Sequence, residues 1–403
     1  MMQKAKGKLA RRFLTVLLAV RIIGNSPEMR ASDTRDVSIR AGASYGWFSN
    51  IDDAASLLLD RNNGYPSLDL AIGFSCAPKD SSYIHDAWNY PIRGFGFSVS
   101  LYDRLTPNST RDVKISNIYN LYIYSENDII RTPRLSFGIS SRAGIGYTRE
   151  IYDPISNRGN WFLGSHFSLY ISLGAYLKYY VAPQLELGLS PVFWHHSNGR
   201  TRIPNVGLNE YGLELSARYH LGEQYRGKPM HYGRNRKASG HKWDIYAGAA
   251  PYMSRAQQIG MPGTQGGTPN LRAVIGGDIL WNISHIYATG VQADIFYTSD
   301  TQLLEECDMI LLEKTSPHGY HPIQAGISSA HELRLNEHLS LCGSIGIYLY
   351  NETGLYEDHG ILFEKLGAKY CLPRLGNIFI GFNCRAYNCV RADNMEFIIG
   401  KRF

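Results

Sequence analysis

Phe167, Leu169, Ile171 and Leu173 alternate with Ser168, Tyr170, Ser172 and Gly174, and the pattern recurs along most of the chain. Leu339, Leu341, Ile345, Ile347 and Leu349 repeat it against Ser340, Ser344 and Gly346. Successive side chains of a strand point to opposite faces, so each run is a strand with one apolar and one polar face. Such runs recur from about residue 37 to the C-terminal Phe403. A chain built this way needs an apolar environment for one face of every strand. Its mean hydropathy is only −0.24, the value of a soluble protein. A membrane barrel has the same low mean, because only one residue in two faces lipid. The 28 Tyr and 40 Gly among 403 residues fit that reading.

The N-terminus carries Lys4, Lys6, Lys8, Arg11 and Arg12, followed by the apolar run Phe13–Val20. These are the n-region and h-region of a secretory signal, with Met29-Arg30-Ala31 as the cleavage site. The expected division is therefore a signal peptide at 1–31 and a barrel over 32–403. No later stretch has 18 consecutive apolar residues, so export is not followed by a membrane helix. Amphipathic strands in an exported chain imply the outer membrane of a Gram-negative bacterium.

The connections support a barrel. Short turns at 182–184, 282–284, 336–338 and 372–374 alternate with long polar loops at about 49–66, 149–164, 254–269 and 299–320. Outer-membrane barrels have short periplasmic turns and longer extracellular loops. The expected fold is all-β: one closed antiparallel transmembrane barrel of about 14–16 strands, with both chain ends in the periplasm. One connection breaks the alternation. Residues 222–242 are long, fall on the short-turn side, and carry Arg226, Lys228, Arg234, Arg236, Lys237 and Lys242 against Glu223 alone. We read it as a periplasmic linker within one barrel. A boundary between two smaller barrels, or a contact to acidic headgroups, is the other reading.

Composition narrows the partners. A net charge of +6 without a basic stripe in a binding motif gives no reason to expect nucleic acid. The six Cys form no CxxC and no Cys/His spacing of the zinc type, so neither metal nor cofactor is expected. Cys384 and Cys389 are close enough in sequence to bridge a loop; six unpaired thiols is the alternative.

The stretch Pro191–Asn209, PVFWHHSNGRTRIPNVGLN, joins two of the strands. Before it, Leu185, Leu187, Leu189, Pro191 and Phe193 form an apolar face, which His195 and Ser197 continue. After it, Tyr211, Leu213, Leu215, Ala217 and Tyr219 form the apolar face, which Asn209 continues. Glu210 and His196 have the opposite parity and point into the polar interior. A base, a hydroxyl and an amide thus share the lipid side of two adjoining strands.

His195-x-Ser197-Asn198 followed by Pro204-Asn205-x-Gly207-x-Asn209 resembles the lipid A 3-O-deacylase (PagL-like acyloxyacyl hydrolase) family. The resemblance implies that His195 and Ser197 are the family's catalytic pair. Asn209 occupies the position of the family's acidic third member. It also implies a substrate, the lipid A of lipopolysaccharide, from which an ester-linked 3-hydroxyacyl chain is removed.

The residues support the same chemistry. A serine hydrolase needs a hydroxyl, a base in reach of it, and a third group that orients the base. Positions i and i+2 of one strand suit His195 and Ser197, and the Asn209 side-chain oxygen suits the imidazole. Asn198, Gly199 and Asn205 are candidate oxyanion donors. Arg200 and Arg202 are candidates for substrate phosphates, or else solvated loop charges. Two other functions remain open at this point. One is a pore or transporter lined by Glu186, Glu210, Glu214 and Arg218. The other is a structural barrel whose hydrolase site has decayed.

Overall fold

The computed structural model describes residues 36–49, 64–75, 83–104, 113–222, 239–253, 257, 270–313, 318–354, 360–387 and 391–403. The signal peptide expected at 1–31, most of the basic connection and Cys389 lie outside the described residues. Sixteen strands account for most of what is described. In chain order they are β1 (Asp36–Phe48), β2 (Tyr65–Ser75), β3 (Ile92–Ser100), β4 (Ile118–Arg131), β5 (Leu135–Thr148), β6 (Phe167–Ala182), β7 (Leu185–Ser197) and β8 (Leu208–His220). They continue with β9 (His241–Tyr252), β10 (Asn270–Asn282), β11 (Tyr287–Thr298), β12 (Ile323–Arg334), β13 (Leu339–Asn351), β14 (Leu362–Leu372), β15 (Ile378–Tyr387) and β16 (Arg391–Arg402). Two helices lie in connections, α1 (Tyr83–Ala87) and α2 (Thr301–Leu312).

The strand total and the antiparallel pairing match the sequence reading, but the closure does not. The sixteen strands do not form one ring. β1 to β8 close on themselves through β8 against β1, and β9 to β16 close through β16 against β9. The connection between His220 and His241 is the boundary between two eight-stranded barrels.

Side chains inside the rings explain why eight is the number. An eight-stranded barrel has an interior just wide enough to be filled by side chains, whereas sixteen strands enclose a channel. In the first barrel the inward residues of β1 and β8 meet their charge partners across the closing seam. Asp36 pairs with His220, and Arg40 with Glu214. Arg142 grips both Glu214 oxygens at 2.8 Å. Arg218 binds Glu126 at 2.6 Å and Glu186 at 2.8 Å. The second barrel closes by the same device: Arg402 of β16 binds Asp244 of β9 at 2.7 Å, and Lys369 reaches Asp244 at 2.9 Å and Asp278 at 2.8 Å. Buried charges that are paired and hydrogen-bonded offset their desolvation, whereas stripping one partner leaves a charge stranded.

Aromatic rings fill the rest of the first lumen. Tyr122, Tyr124, Tyr170, Val192 and Trp194 cluster there with Ala71 and Ile92. Gly96 makes room for one of them, since a Cβ at that position would stand 2.4 Å from the Tyr122 hydroxyl oxygen. Outward residues such as Leu68, Leu70, Leu121, Leu187 and Leu215 are exposed on the wall, which in an outer-membrane barrel faces lipid. A belt of aromatic residues rings that wall near one rim. Tyr45 meets Trp47 edge-on at 5.0 Å, Trp47 stacks on Tyr211 at 6.0 Å, and Tyr147 meets Phe167 at 5.4 Å. Such girdles mark the level of the headgroups.

Candidate active site

β7 and β8 are joined across that rim by residues 198–207. Their register pairs His195 directly with Asn209 and Trp194 with Glu210. The period of two then decides which groups meet. Glu210 is fully buried in the lumen, where the Tyr102 hydroxyl donates to it and the His196 imidazole lies 3.3 Å away. His196 also meets Asn120 Oδ1 at 3.0 Å. His195 and Asn209 face outward at the level of the aromatic belt. Trp47 pairs with Tyr211 in the β1–β8 register, and the Ser49 N–H donates to the Asn209 carbonyl at 2.7 Å.

His195 Nδ1 and Asn209 Oδ1 are 2.7 Å apart. An amide oxygen only accepts, so Nδ1 carries the proton and Nε2 is left as the basic nitrogen. The structure places Ser197 in a cradle of its own. Its Oγ accepts from Asn205 Nδ2 at 2.9 Å and from the Gly199 N–H at 3.2 Å. Two donors on one hydroxyl oxygen leave its own proton to be given away.

The three oxyanion candidates thus separate. Gly199 and Asn205 donate to Ser197. Asn198 is spent inside the loop: its N–H donates to Asn205 Oδ1 at 3.0 Å, and its Nδ2 donates to the Arg202 carbonyl at 2.9 Å. Asn205 therefore sits at the centre, one end holding Asn198 and the other holding the hydroxyl. The two phosphate candidates separate as well. Arg202 is exposed, while the Arg200 guanidinium lies 5.4 Å from the Tyr252 ring centre of the second barrel.

Neighbouring segments hold the loop. Val206 and Gly207 donate their N–H groups to the carbonyls of Trp161 and Phe162 at 3.2 and 3.1 Å. Phe162 and Leu163 are themselves packed with Phe48, Tyr65, Tyr102 and Leu208 under the rim. The sequence reading missed this support, because nothing in the 149–164 loop marks it as a floor for the site.

Gly207 has φ of +76°, a conformation that residues with a Cβ rarely adopt. A Cβ there would stand 2.9 Å from the His196 carbonyl oxygen, 3.4 Å from His195 Cε1 and 3.6 Å from Ser197 Cβ. Gly207→Ala therefore carries both a backbone cost and a clash with the His196 carbonyl oxygen, between the two site residues. We expect at least a tenfold loss of activity with the barrel still closed, consistent with roughly 1–2 kcal/mol for one left-handed residue. Activity measured beside the heat-modifiable gel mobility checks it.

Closed eight-stranded antiparallel barrels with an apolar outer wall define a class, the outer-membrane β-barrels. The family models narrow it. The lipid A 3-O-deacylase (PagL) model matches residues 130–218, and the acyloxyacyl hydrolase C-terminal domain model matches residues 241–403. The chain belongs to the PagL family of outer-membrane lipid A deacylases. No curated protein sequence matches it.

Among solved structures it is similar to Neisserial surface protein A, at 10% identity and a TM-score of 0.27, over 46% of this chain and 96% of that one. It is also similar to a de novo designed transmembrane β-barrel, at 14% identity and a TM-score of 0.22, over 48% and 98%. A third is OccK5 (OpdH) of Pseudomonas aeruginosa, at 10% identity and a TM-score of 0.22, over 92% and 98%. Likenesses this distant add nothing to the reading of the site.

Proposed function

We propose that this outer-membrane protein is a serine esterase that removes an ester-linked 3-hydroxyacyl chain from lipid A, with Ser197 as nucleophile, His195 as base and Asn209 as its orienter. The observation that carries this is the 2.7 Å contact of His195 Nδ1 with Asn209 Oδ1 on the lipid-facing wall, beside a serine held by two donors. Ser197 Oγ attacks the ester carbonyl as His195 Nε2 takes its proton. The negative charge that develops on the carbonyl oxygen falls beside Oγ, within reach of Asn205 Nδ2 and the Gly199 N–H as they already stand. As the acyl carbon–oxygen bond to the sugar breaks, the imidazolium gives its proton to the departing sugar oxygen, which leaves as a hydroxyl. Water, activated by the same imidazole, then cleaves the acyl-serine and releases the 3-hydroxy fatty acid.

The wall position selects the substrate. A nucleophile facing outward at the aromatic belt reaches ester bonds at headgroup depth. If β1 rises from the periplasm, the 198–207 loop lies on the extracellular side, where lipopolysaccharide fills the leaflet. Mass spectrometry of lipid A from cells with and without the protein tests the reading. Loss of one hydroxyacyl chain only when the protein is present is the expected result, and unchanged lipid A overturns it.

The pore alternative meets an obstacle in the lumen. Glu186, Glu210, Glu214 and Arg218, the residues that would line a channel, are buried: Arg218 binds Glu186, Arg40 and Arg142 bind Glu214, and the Tyr102 hydroxyl caps Glu210. Planar bilayers containing the purified protein should show no stepped conductance. Steady ohmic steps of porin size would instead favour transport.

A further inference from the structure

We infer that the second barrel is a working part of the active site: its rim at Tyr252, Met253 and Met395 clamps the 199–200 turn and thereby aims the Gly199 N–H at Ser197. The inference rests on the proposed esterase reading of that serine. Gly199 and Arg200 are both left-handed, with φ of +60° and +64°. They are the central pair of a turn that the Thr201 N–H closes on the Asn198 carbonyl at 3.3 Å, and Arg200, which bears a side chain, adds a backbone cost that contacts from outside the segment help to meet.

The outside hold comes from the other barrel. The Met253 N–H points at the Arg200 carbonyl at 3.4 Å, and the Arg200 guanidinium covers the Tyr252 ring. Met395 abuts Gly199 so closely that a Cβ on the glycine would lie 2.7 Å from the Met395 Cβ. The clamp is itself rigid. Tyr252 is fully buried, and the Arg272 guanidinium stacks on its ring at 3.9 Å. Arg272 is paired with Asp393, two residues before Met395, and Asp393 with Arg385 at 2.8 Å. The two barrels also touch at the opposite rim. There the Trp88 indole donates to the Arg334 carbonyl at 2.8 Å, and Arg93 donates to the Leu335 carbonyl. Contacts at both rims oppose swivelling of one barrel on the other.

The consequence for chemistry is short-range. Gly199 N–H is one hydrogen bond from the nucleophile at 3.2 Å, and displacement of a catalytic group by about 1 Å can cost a hundredfold in rate. Tyr252 and Met395 are therefore positioning residues, and Arg200 belongs to the clamp and not to substrate phosphate.

The test is a double-mutant cycle in the full-length protein, assayed on lipid A in mixed micelles. Tyr252→Ala should lower kcat by about tenfold or more with KM unchanged. Tyr252→Phe, which keeps the ring face under the cation, should retain it. Arg200→Ala should resemble Tyr252→Ala, and the double variant should be no worse than either. If Tyr252→Ala does not assemble, Met395→Gly takes its place with the same expectations. Full activity in Tyr252→Ala or Met395→Gly overturns the clamp, and so does an Arg200→Ala effect confined to KM and additive with Tyr252→Ala. Ser197→Ala in the same assay separates the two levels. An inactive Ser197→Ala beside fully active rim variants removes the clamp alone, while an active Ser197→Ala removes the esterase reading on which it rests.

Discussion

Ser197→Ala should reduce release of the 3-hydroxy fatty acid by roughly 10^4-fold or more while the protein still migrates as a closed barrel. His195→Ala should do nearly the same. The two together should be no worse than either alone, because a nucleophile without its base and a base without its nucleophile fail at the same step. The barrel survives because neither side chain belongs to the packed lumen. His195 is half-buried on the outer face and Ser197 is buried against the rim loop, while the lumen is held by His196, Glu210, Tyr102 and Asn120, which the substitutions leave untouched. What Ser197→Ala does strand is the pair of donors on the hydroxyl, Asn205 Nδ2 and the Gly199 N–H. They lie at the rim, so a small local loosening of the loop is the only structural effect expected. Lipid A mass spectrometry and the temperature of gel-mobility change, measured on the same samples, check both halves. Undiminished release by Ser197→Ala ends the nucleophile assignment.

Much of this was legible in the chain because a strand has a period of two. His195, Ser197 and Asn209 continue the parity of Leu187, Leu189, Leu213 and Leu215, and Glu210 does not. The β7–β8 register obeys that count, with His195 opposite Asn209 and Glu210 turned inward. Alternation also gave the number of strands. It was silent about which strand closes on which, since pairing of β8 with β1 spans almost two hundred residues and every β-strand offers the same two edges. The informative signal was inside. Inward Asp36 and His220, Arg40 and Glu214, and Glu186 and Arg218 pair within the first half, and Asp244 and Arg402 do so within the second. Each half is thus electrostatically and sterically complete at eight strands. The roles of Asn205 and Asn198 were hidden for a different reason. Both are asparagines of one loop, and only the folded turn distinguishes the amide that reaches Ser197 from the one spent on a neighbouring carbonyl.

Asn209 stands where the resemblance of the motif implies an acidic residue, and its substitutions bear on mechanism and register together. Its oxygen fixes the His195 tautomer at 2.7 Å but brings no charge to the imidazolium formed during attack. Asn209→Ala should therefore slow hydrolysis by about a hundredfold or more, because the ring loses its orientation as well as a hydrogen bond. Asn209→Glu should keep activity or raise it, since a carboxylate orients the ring and also favours its charged form. The same attraction raises the imidazole pKa, so the base stays protonated to a higher pH, and the acid limb of the rate profile should move upward relative to the parent. Glu210→Gln should change the rate little. Its side chain lies in the lumen, where a glutamine oxygen can still accept from Tyr102. Steady-state rates across pH for the parent and the three variants decide the matter. A large loss with Glu210→Gln and none with Asn209→Ala would mean that the inward carboxylate, and not the outward amide, serves the base. The His195–Ser197–Asn209 assignment would then have to be given up.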